Sequence, residues 1–229
     1  MQNLLVIERS SGHGSWALYN DSEKLVSNPF EAGLPRAPTW YTDVISGIKA
    51  AGVAPQALGA LLVGTGPGSF SGIRAVLGAM QGLALPQGIP VLGLSSAAEL
   101  ARAAALRNGA KTVAVVGDAR RGTLWCAVYD VKDGGALTLH STGAAPTHTA
   151  ADFSLTVPDE LAKLIPADTL VISSEFTKLS RIFSSLSDVK TVAEDLFATA
   201  DDLAALYNSN PEAALRDPLP VYLHPAVVA

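Results

Sequence analysis

Cysteine is almost absent from this sequence: Cys126 is the only one in 229 residues. No internal disulfide can form, a multi-cysteine zinc cage is excluded, and a cytoplasmic setting is expected. Basic blocks are missing as well. The 16 lysines and arginines are scattered and the formal net charge is −5, so there is no basic stripe to grip a nucleic-acid backbone, and RNA is expected to be met only through a partner. Charge of either sign is missing from residues 50–73 and 75–98. Glycines, prolines and glutamines interrupt both stretches, whereas a membrane-spanning helix needs about 20 continuous apolar residues. Both are read as buried core elements, and no membrane contact is expected. The apolar run Leu4-Leu5-Val6-Ile7 has neither the length nor the basic prefix of an export signal.

What is present describes a globular chain, 48% hydrophobic and 16% charged, with ample material for a core. Runs at 4–10, 15–21 and 24–30, punctuated by Gly12-His13-Gly14 and Asp21-Ser22, predict an antiparallel meander of three strands. Thr39 opens a helical pattern with Trp40, Val44, Ile45 and Ile48 on one side, closed by Gly52 and Pro55. A strand over 58–63, a helix over 71–85, a strand over 91–94 and a helix from Ser96 to Arg107 follow, with Ser96 and Glu99 read as a capping box. The order β-β-β-α-β-α-β-α implies one mixed sheet with helices packed on it. The same prefix returns after Lys111, with strands over 113–119, 123–130 and 136–142 and Arg121-Gly122 as a hairpin turn. A strand over 170–173 and helices near 176–186 and 200–207 complete the second round. Two similar lobes are the simplest explanation, divided as residues 1–105 and 106–195. Residues 196–229 form a C-terminal helix and tail expected to pack back toward the first lobe.

Gly64-Thr65-Gly66-Pro67-Gly68-Ser69 lies between a predicted strand and a predicted helix, a context in which helix amides attract anions. The familiar phosphate fingerprints fail. No lysine lies between Lys49 and Lys111, which excludes a P-loop, and Ser69 stands where a dinucleotide loop has its third glycine. A tight strand-to-helix turn is the plain alternative. The helix behind the loop carries Ala75, Gly78, Ala79 and Gly82 at three- and four-residue spacing, a face almost without side chains. Glycine within a helix costs roughly 1 kcal/mol relative to alanine, so two of them need a packing reason. The bare face packs either on a helix of this chain or on another subunit.

Residues 64–84, GTGPGSFSGIRAVLGAMQGLA, closely resemble the signature of the TsaB family, also called YeaZ. Asp118-Ala119-Arg120-Arg121-Gly122, followed by Trp125 and Tyr129, resembles that family's second block, and Pro220-Val221-Tyr222-Leu223 is similar to its C-terminal motif. The resemblance implies the actin/Hsp70-like ATPase (ribonuclease H-like) fold, an α/β class with two similar lobes each built on a mixed sheet. It implies a non-catalytic paralogue of TsaD, the subunit that transfers a threonylcarbamoyl group to the adenosine beside the tRNA anticodon. The implied partners are a TsaD-type transferase and a TsaE-type ATPase, with a homodimer in isolation and tRNA reached through the complex. The partner interface then maps to Trp40, Val44, Ile48, Arg74, Ala75, Gly78, Ala79 and Gly82. TsaD-like catalysts hold a metal through two histidines four apart, and His13, His140, His148 and His224 include no such pair. No metal and no catalytic residue is expected.

Two departures bear on nucleotide binding. Relatives usually end the first strand in an Asp-Thr-like pair, the remnant of the fold's first phosphate loop; here Glu8-Arg9-Ser10 stands there. Many have a histidine near the first helix, where this chain reads Pro35-Arg36-Ala37-Pro38-Thr39-Trp40. Glu8, Ser10, Ser11, Gly66, Gly68 and Asp118 are the candidate vestigial nucleotide site. The chain itself is expected to require no cofactor, and weak ATP or ADP binding in the complex stays open. Two enzyme readings compete: a small-molecule kinase of the same fold, which needs phosphate loops in both lobes, and a metallopeptidase, which needs a water-activating metal.

Overall fold

The computed structural model describes residues 3–31, 39–147, 149 and 152–224. Residues 35–38 of the segment before the first helix, and His148, lie outside the described residues. The first lobe runs β1 (Asn3–Glu8), β2 (His13–Asn20), β3 (Glu23–Glu31), α1 (Trp40–Ala50), β4 (Leu58–Gly64), α2 (Phe70–Ala84), β5 (Val91–Leu94) and α3 (Ser96–Asn108). The second runs β6 (Thr112–Arg120), β7 (Thr123–Val131), β8 (Leu137–Leu139), β9 (Ser154–Thr156), β10 (Leu170–Ile172), α4 (Phe176–Phe183) and β11 (Lys190–Thr191), and the chain then continues through α5 (Ala200–Ser209) and β12 (Leu215–Arg216).

The first sheet has the order β12-β5-β4-β1-β2-β3 and the second β11-β10-β6-β7-β8, with β9 on the free part of β7. In each, an antiparallel meander feeds parallel strands: β1 pairs parallel with β4 and β4 with β5, as β6 does with β10 and β10 with β11. This repeated topology is the actin/Hsp70-like ATPase fold. In the second lobe a 3-10 segment, Pro158–Lys163, stands where the first lobe has α1.

Strand alternation divides the interior into layers. Leu4 and Val6 of β1 face a core shared with α3, α5 and the second sheet, while Leu5 and Ile7 face a second core under α1 and α2. A third core, including Ala114, Val116, Leu179 and Phe183, lies under α4. The alanines of α3 explain how two sheets clasp it. Ala97, Ala98, Ala101, Ala103, Ala104 and Ala105 are all buried, because only small side chains fit on a helix enclosed from both sides.

The end of the chain returns to the first lobe. Tyr19 Oη donates to Asp201 Oδ1 at 2.6 Å, Ser15 Oγ accepts from the Ala200 amide at 2.8 Å, and β12 pairs with β5. The division drawn at residues 105 and 106 falls inside α3; the chain leaves the helix at Gly109, which takes the left-handed conformation that ends it.

Two readings are corrected. Ser95, not Ser96, caps α3, its side chain accepting from the Ala98 amide at 3.2 Å. Trp40, Val44 and Ile48, assigned to a partner interface, are buried in the chain's own core. The apolar stripe of an amphipathic helix goes to its own sheet first. Trp40 stacks on Phe30 with ring centroids 5.7 Å apart.

Candidate functional site

Glu8 ends β1 and turns inward, only 1% exposed. One carboxylate oxygen accepts from the Ser10 amide and the other from Ser96 Oγ at 2.8 Å. Ser96 Oγ in turn accepts from the Gly66 amide at 3.1 Å, and the Ser96 amide donates to the Gly66 carbonyl at 2.9 Å. The Ser69 amide closes the knot on the Ser10 carbonyl at 2.6 Å. One buried carboxylate thus ties together the β1–β2 turn, the glycine-rich loop with its cis Gly66–Pro67 peptide, and the start of α3. Burial pushes the Glu8 carboxyl above its ordinary value, against the opposing pull of the Ser10 and Ser96 donors.

Glu99, one turn into α3, is also fully buried. Among the described residues its Oε1 accepts only a long contact from the Thr199 amide, 3.4 Å, and its Oε2 has no partner. Burial first, and then the charges of Glu8 and Asp202, raise its pKa well above the usual carboxylate range; the Thr199 amide and Arg107 pull the other way. A native pKa above the unfolded one means that the folded state holds the extra proton. Stability therefore falls as pH rises from the ordinary carboxylate value, about 4.3, toward the native one. Glu99→Gln should raise the melting temperature at pH 7 to 8 and flatten this decline, each kcal/mol gained being worth about 2–4 °C in a chain of this size. Thermal melts across pH 4.5–8.5 test this, and parallel curves for the two proteins would refute it.

The second lobe repeats the self-capping. Asp118, near the end of β6, accepts from the Arg120 amide at 2.7 Å, from Arg120 Nη1 at 3.0 Å and from Lys178 Nζ. The Asp118 amide donates to Glu175 Oε2 at 2.9 Å. Burial pushes Asp118 up, but the Lys178 and Arg120 donors outweigh it and hold the carboxyl below its ordinary value. An acid already paired with an ammonium and a guanidinium is poorly placed as a general base.

Between these two turns lies an interlobe cleft of about 770 Å³, where Ser10, Ser11 and Gly68 face Asp118, Arg121 and Trp125. Its mouth is crossed by a C-terminal strap. The Val221 amide donates to the Thr65 carbonyl at 3.0 Å, and His224 Nε2 lies 2.7 Å from the Ala119 carbonyl oxygen. Of the candidate nucleotide residues, Ser10, Ser11, Gly68 and Asp118 reach the cleft, while Glu8 and Gly66 lie buried beneath it. The amides of Ser10, Asp118 and Arg120 are all bonded to the chain's own carboxylates. An anion arriving at either turn would have to displace one.

The other candidate surface is the outer side of α1 and α2. Arg74, Ala75, Gly78 and Gly82 are exposed and Ala79 is half-buried. A Cβ added at Gly78 or Gly82 would meet nothing within 4 Å. The bare face therefore does not pack on a described helix of this chain. Beside it runs a groove lined by Tyr41, Ile45, Lys49 and Leu83, so the open side of α1 is one step around the helix from the buried Trp40, Val44 and Ile48.

The histidines within the described residues are engaged separately. His13 opens β2 with its ring 4.1 Å from that of Phe197, His140 pairs with Asp130 at 2.9 Å, and His224 belongs to the strap. Sequence reasoning did not identify Ser96, Glu175 or Lys178 as site residues. They meet Glu8 and Asp118 across 88, 57 and 60 positions, and no local pattern announces such contacts.

Comparison with known proteins points one way. The family model described as TsaD, tRNA N6-adenosine threonylcarbamoyltransferase, matches residues 44–209. The tRNA threonylcarbamoyladenosine biosynthesis protein TsaB of Escherichia coli (strain K12) is 34% identical over 137 residues, 58% of this chain and 57% of that protein. TsaB of Haemophilus influenzae is 39% identical over 69 residues, 30% of this chain and 29% of that protein. The alignments thus span 57% or less of either relative's length. The solved structure of YeaZ from Pseudomonas aeruginosa superposes with a TM-score of 0.77 and 28% identity, covering 97% of this chain and 100% of that one.

Proposed function

We propose a partner-subunit function for this chain, which belongs to the family of TsaD, tRNA N6-adenosine threonylcarbamoyltransferase, as a TsaB/YeaZ-type member. In this reading it performs no transfer itself. It binds a TsaD-type transferase through the outer face of α1 and α2 and supports threonylcarbamoyl modification of the adenosine beside the tRNA anticodon. A TsaE-type ATPase joins the assembly, tRNA is met only through the complex, and the chain pairs with itself when alone. The setting is the cytoplasm, in keeping with a lone, buried Cys126 and with described helices none of which is long and apolar enough to cross a membrane.

The observation that carries the reading is the open space over Gly78 and Gly82. Two helical glycines cost roughly 1 kcal/mol each, and no described neighbour recovers that cost by close approach. Small residues of this kind let a second backbone come near. The cleft supports the non-catalytic half of the proposal. Of the acids that line it, Asp118 is held by Lys178 and Arg120 and Glu175 by Lys178 and the Asp118 amide, and amides at both hairpin turns are capped by carboxylates of the chain. No nucleotide is required by this chain, and any ATP or ADP bound weakly in the complex would have to compete with those carboxylates.

The test is reconstitution of tRNA modification with the host's TsaD-type and TsaE-type subunits, ATP and threonylcarbamoyl donor, with and without this chain. Product formation should fall at least tenfold when it is omitted. Undiminished modification in its absence would overturn the reading.

A further inference from the structure

We propose that the interlobe cleft receives a segment of the protein partner that docks on α2, with Arg121 as the side chain that takes a single carboxylate of that segment; the inference rests on the partner-subunit reading and extends it to a second contact. The β6–β7 turn is the first ground. Arg120, Arg121 and Gly122 have φ of 67°, 55° and 75°, so the two turn residues Arg121 and Gly122 both adopt the left-handed region. Two-residue turns of this hand strongly favour asparagine, aspartate or glycine at the first position. A long side chain there is an outlier, and backbone strain of this sort gathers at binding sites.

Arg121 is also the open cation of the cleft wall. Arg120 is paired to Asp118, whereas Arg121 is exposed and makes no hydrogen bond or ion pair with any described residue. A guanidinium free in a concave wall matches a carboxylate in a two-pronged geometry that few other side chains offer.

The mouth of the cleft supplies the apolar half. Phe70 and Tyr222 are 44% and 53% exposed with ring centroids 5.3 Å apart. Arg74 lies over the Phe70 ring at 5.1 Å. Phe70 is the first residue of α2 and Arg74 sits one turn on, so this cluster is continuous with the bare face carrying Ala75 and Gly78. Tyrosine and arginine are the residues on which interface energy concentrates, and the anchored strap fixes Tyr222 in place before binding. A partner covering α2 therefore lies over the cleft mouth, within reach of Arg121.

Charge favours a peptide over an RNA backbone as the occupant. Asp118 and Glu175 stand on the same wall as Arg121, and the chain carries a net charge of −5. A polyanion binds by neutralising many phosphates at once, which one open arginine among carboxylates does not do.

The experiment measures association of the full chain with the host's TsaD-type subunit by calorimetry at several salt concentrations, for wild type, Arg121→Gly and Gly78→Arg. Glycine suits the turn's positive φ, so Arg121→Gly should melt at or above the wild-type temperature. Its affinity should fall about tenfold, with a shallower salt dependence. Arg121→Lys, which keeps the charge but not the fork, should lie between. If Gly78→Arg abolishes association while Arg121→Gly leaves affinity and salt dependence unchanged, the cleft inference fails alone. If the wild-type chain does not bind the TsaD-type subunit, the partner reading fails and this inference with it. A defect in Arg121→Gly seen only when tRNA is present would make the anion an RNA phosphate and overturn the peptide assignment.

Discussion

Gly78→Arg will leave the chain folded and will abolish both its self-association and its binding to a TsaD-type subunit, weakening the dissociation constant at least 100-fold, or about 2.7 kcal/mol. The fold is expected to gain from the change. Gly78 is helical and exposed, a Cβ added there meets nothing within 4 Å, and replacing a mid-helix glycine recovers up to about 1 kcal/mol of helix propensity. Loss of binding therefore cannot be blamed on unfolding, which makes the position a cleaner probe than the half-buried Ala79. The loss would arise from contact distance. A bare face admits a helix at backbone range, and an arginine holds it off while burying a charge without a partner. Gly78→Ala should behave in a graded way, with a higher melting temperature and a modestly weaker dimer. Light scattering with a thermal melt on the same sample decides the matter. A folded Gly78→Arg protein with wild-type mass, and wild-type affinity for the TsaD-type subunit, would remove α2 from the interface.

Legibility in the sequence followed the range of the interactions. The strands β1, β4, β5 and β6 are buried on both faces and read as apolar runs, which composition alone reveals. β11 and β12 have two residues each and β9 three, too few for any period to register, so one edge of each sheet went unread, while the opposite edges, β3 and β8, were anticipated. The α1 helix was found but turned the wrong way. Its pattern says which stripe is apolar, and Trp40, Val44 and Ile48 spend that stripe on the sheet, leaving Tyr41, Ile45 and Lys49 outward. The bare face of α2 was legible because glycine in a helix is conspicuous, whereas its exposure needed the structure. Glu8 shows the opposite limit. Beside the family pattern it reads only as a longer acid of doubtful role, and its partner Ser96 lies 88 residues away. The structure gives the extra length a purpose, as the reach that ties the β1–β2 turn to α3.

Gly64→Ala will destabilise the chain severely, and removing the Glu8 side chain will relieve most of that damage. A Cβ on Gly64 would sit 1.6 Å from Glu8 Oε2 and 2.7 Å from Ser96 Oγ, so no small adjustment accommodates it. Either the carboxylate leaves its pocket or β4 separates from β1. If the carboxylate moves, the Ser10 amide and Ser96 Oγ lose their acceptor and a buried acid loses its donors, a change of about 2–6 kcal/mol at about 1–3 kcal/mol for each unmet group. That is a large share of the 5–15 kcal/mol by which domains are ordinarily stable. Glu8→Ala alone also destabilises, because the same two donors are left unmet at about 1–3 kcal/mol each, but it removes the nearest clash and releases Ser96 Oγ from the carboxylate, so that the hydroxyl can rotate away from the new methyl. In the Glu8→Ala background, Gly64→Ala should therefore cost less than about 1 kcal/mol, giving a coupling energy of several kcal/mol, whereas independent sites add to within about 0.5 kcal/mol. Denaturant unfolding of the four proteins closes the cycle. Should Gly64→Ala fail to accumulate as folded protein, recovery of folded, soluble double variant is the readout. Additive costs, or a double variant no better than Gly64→Ala, would mean that Glu8 does not hold this knot.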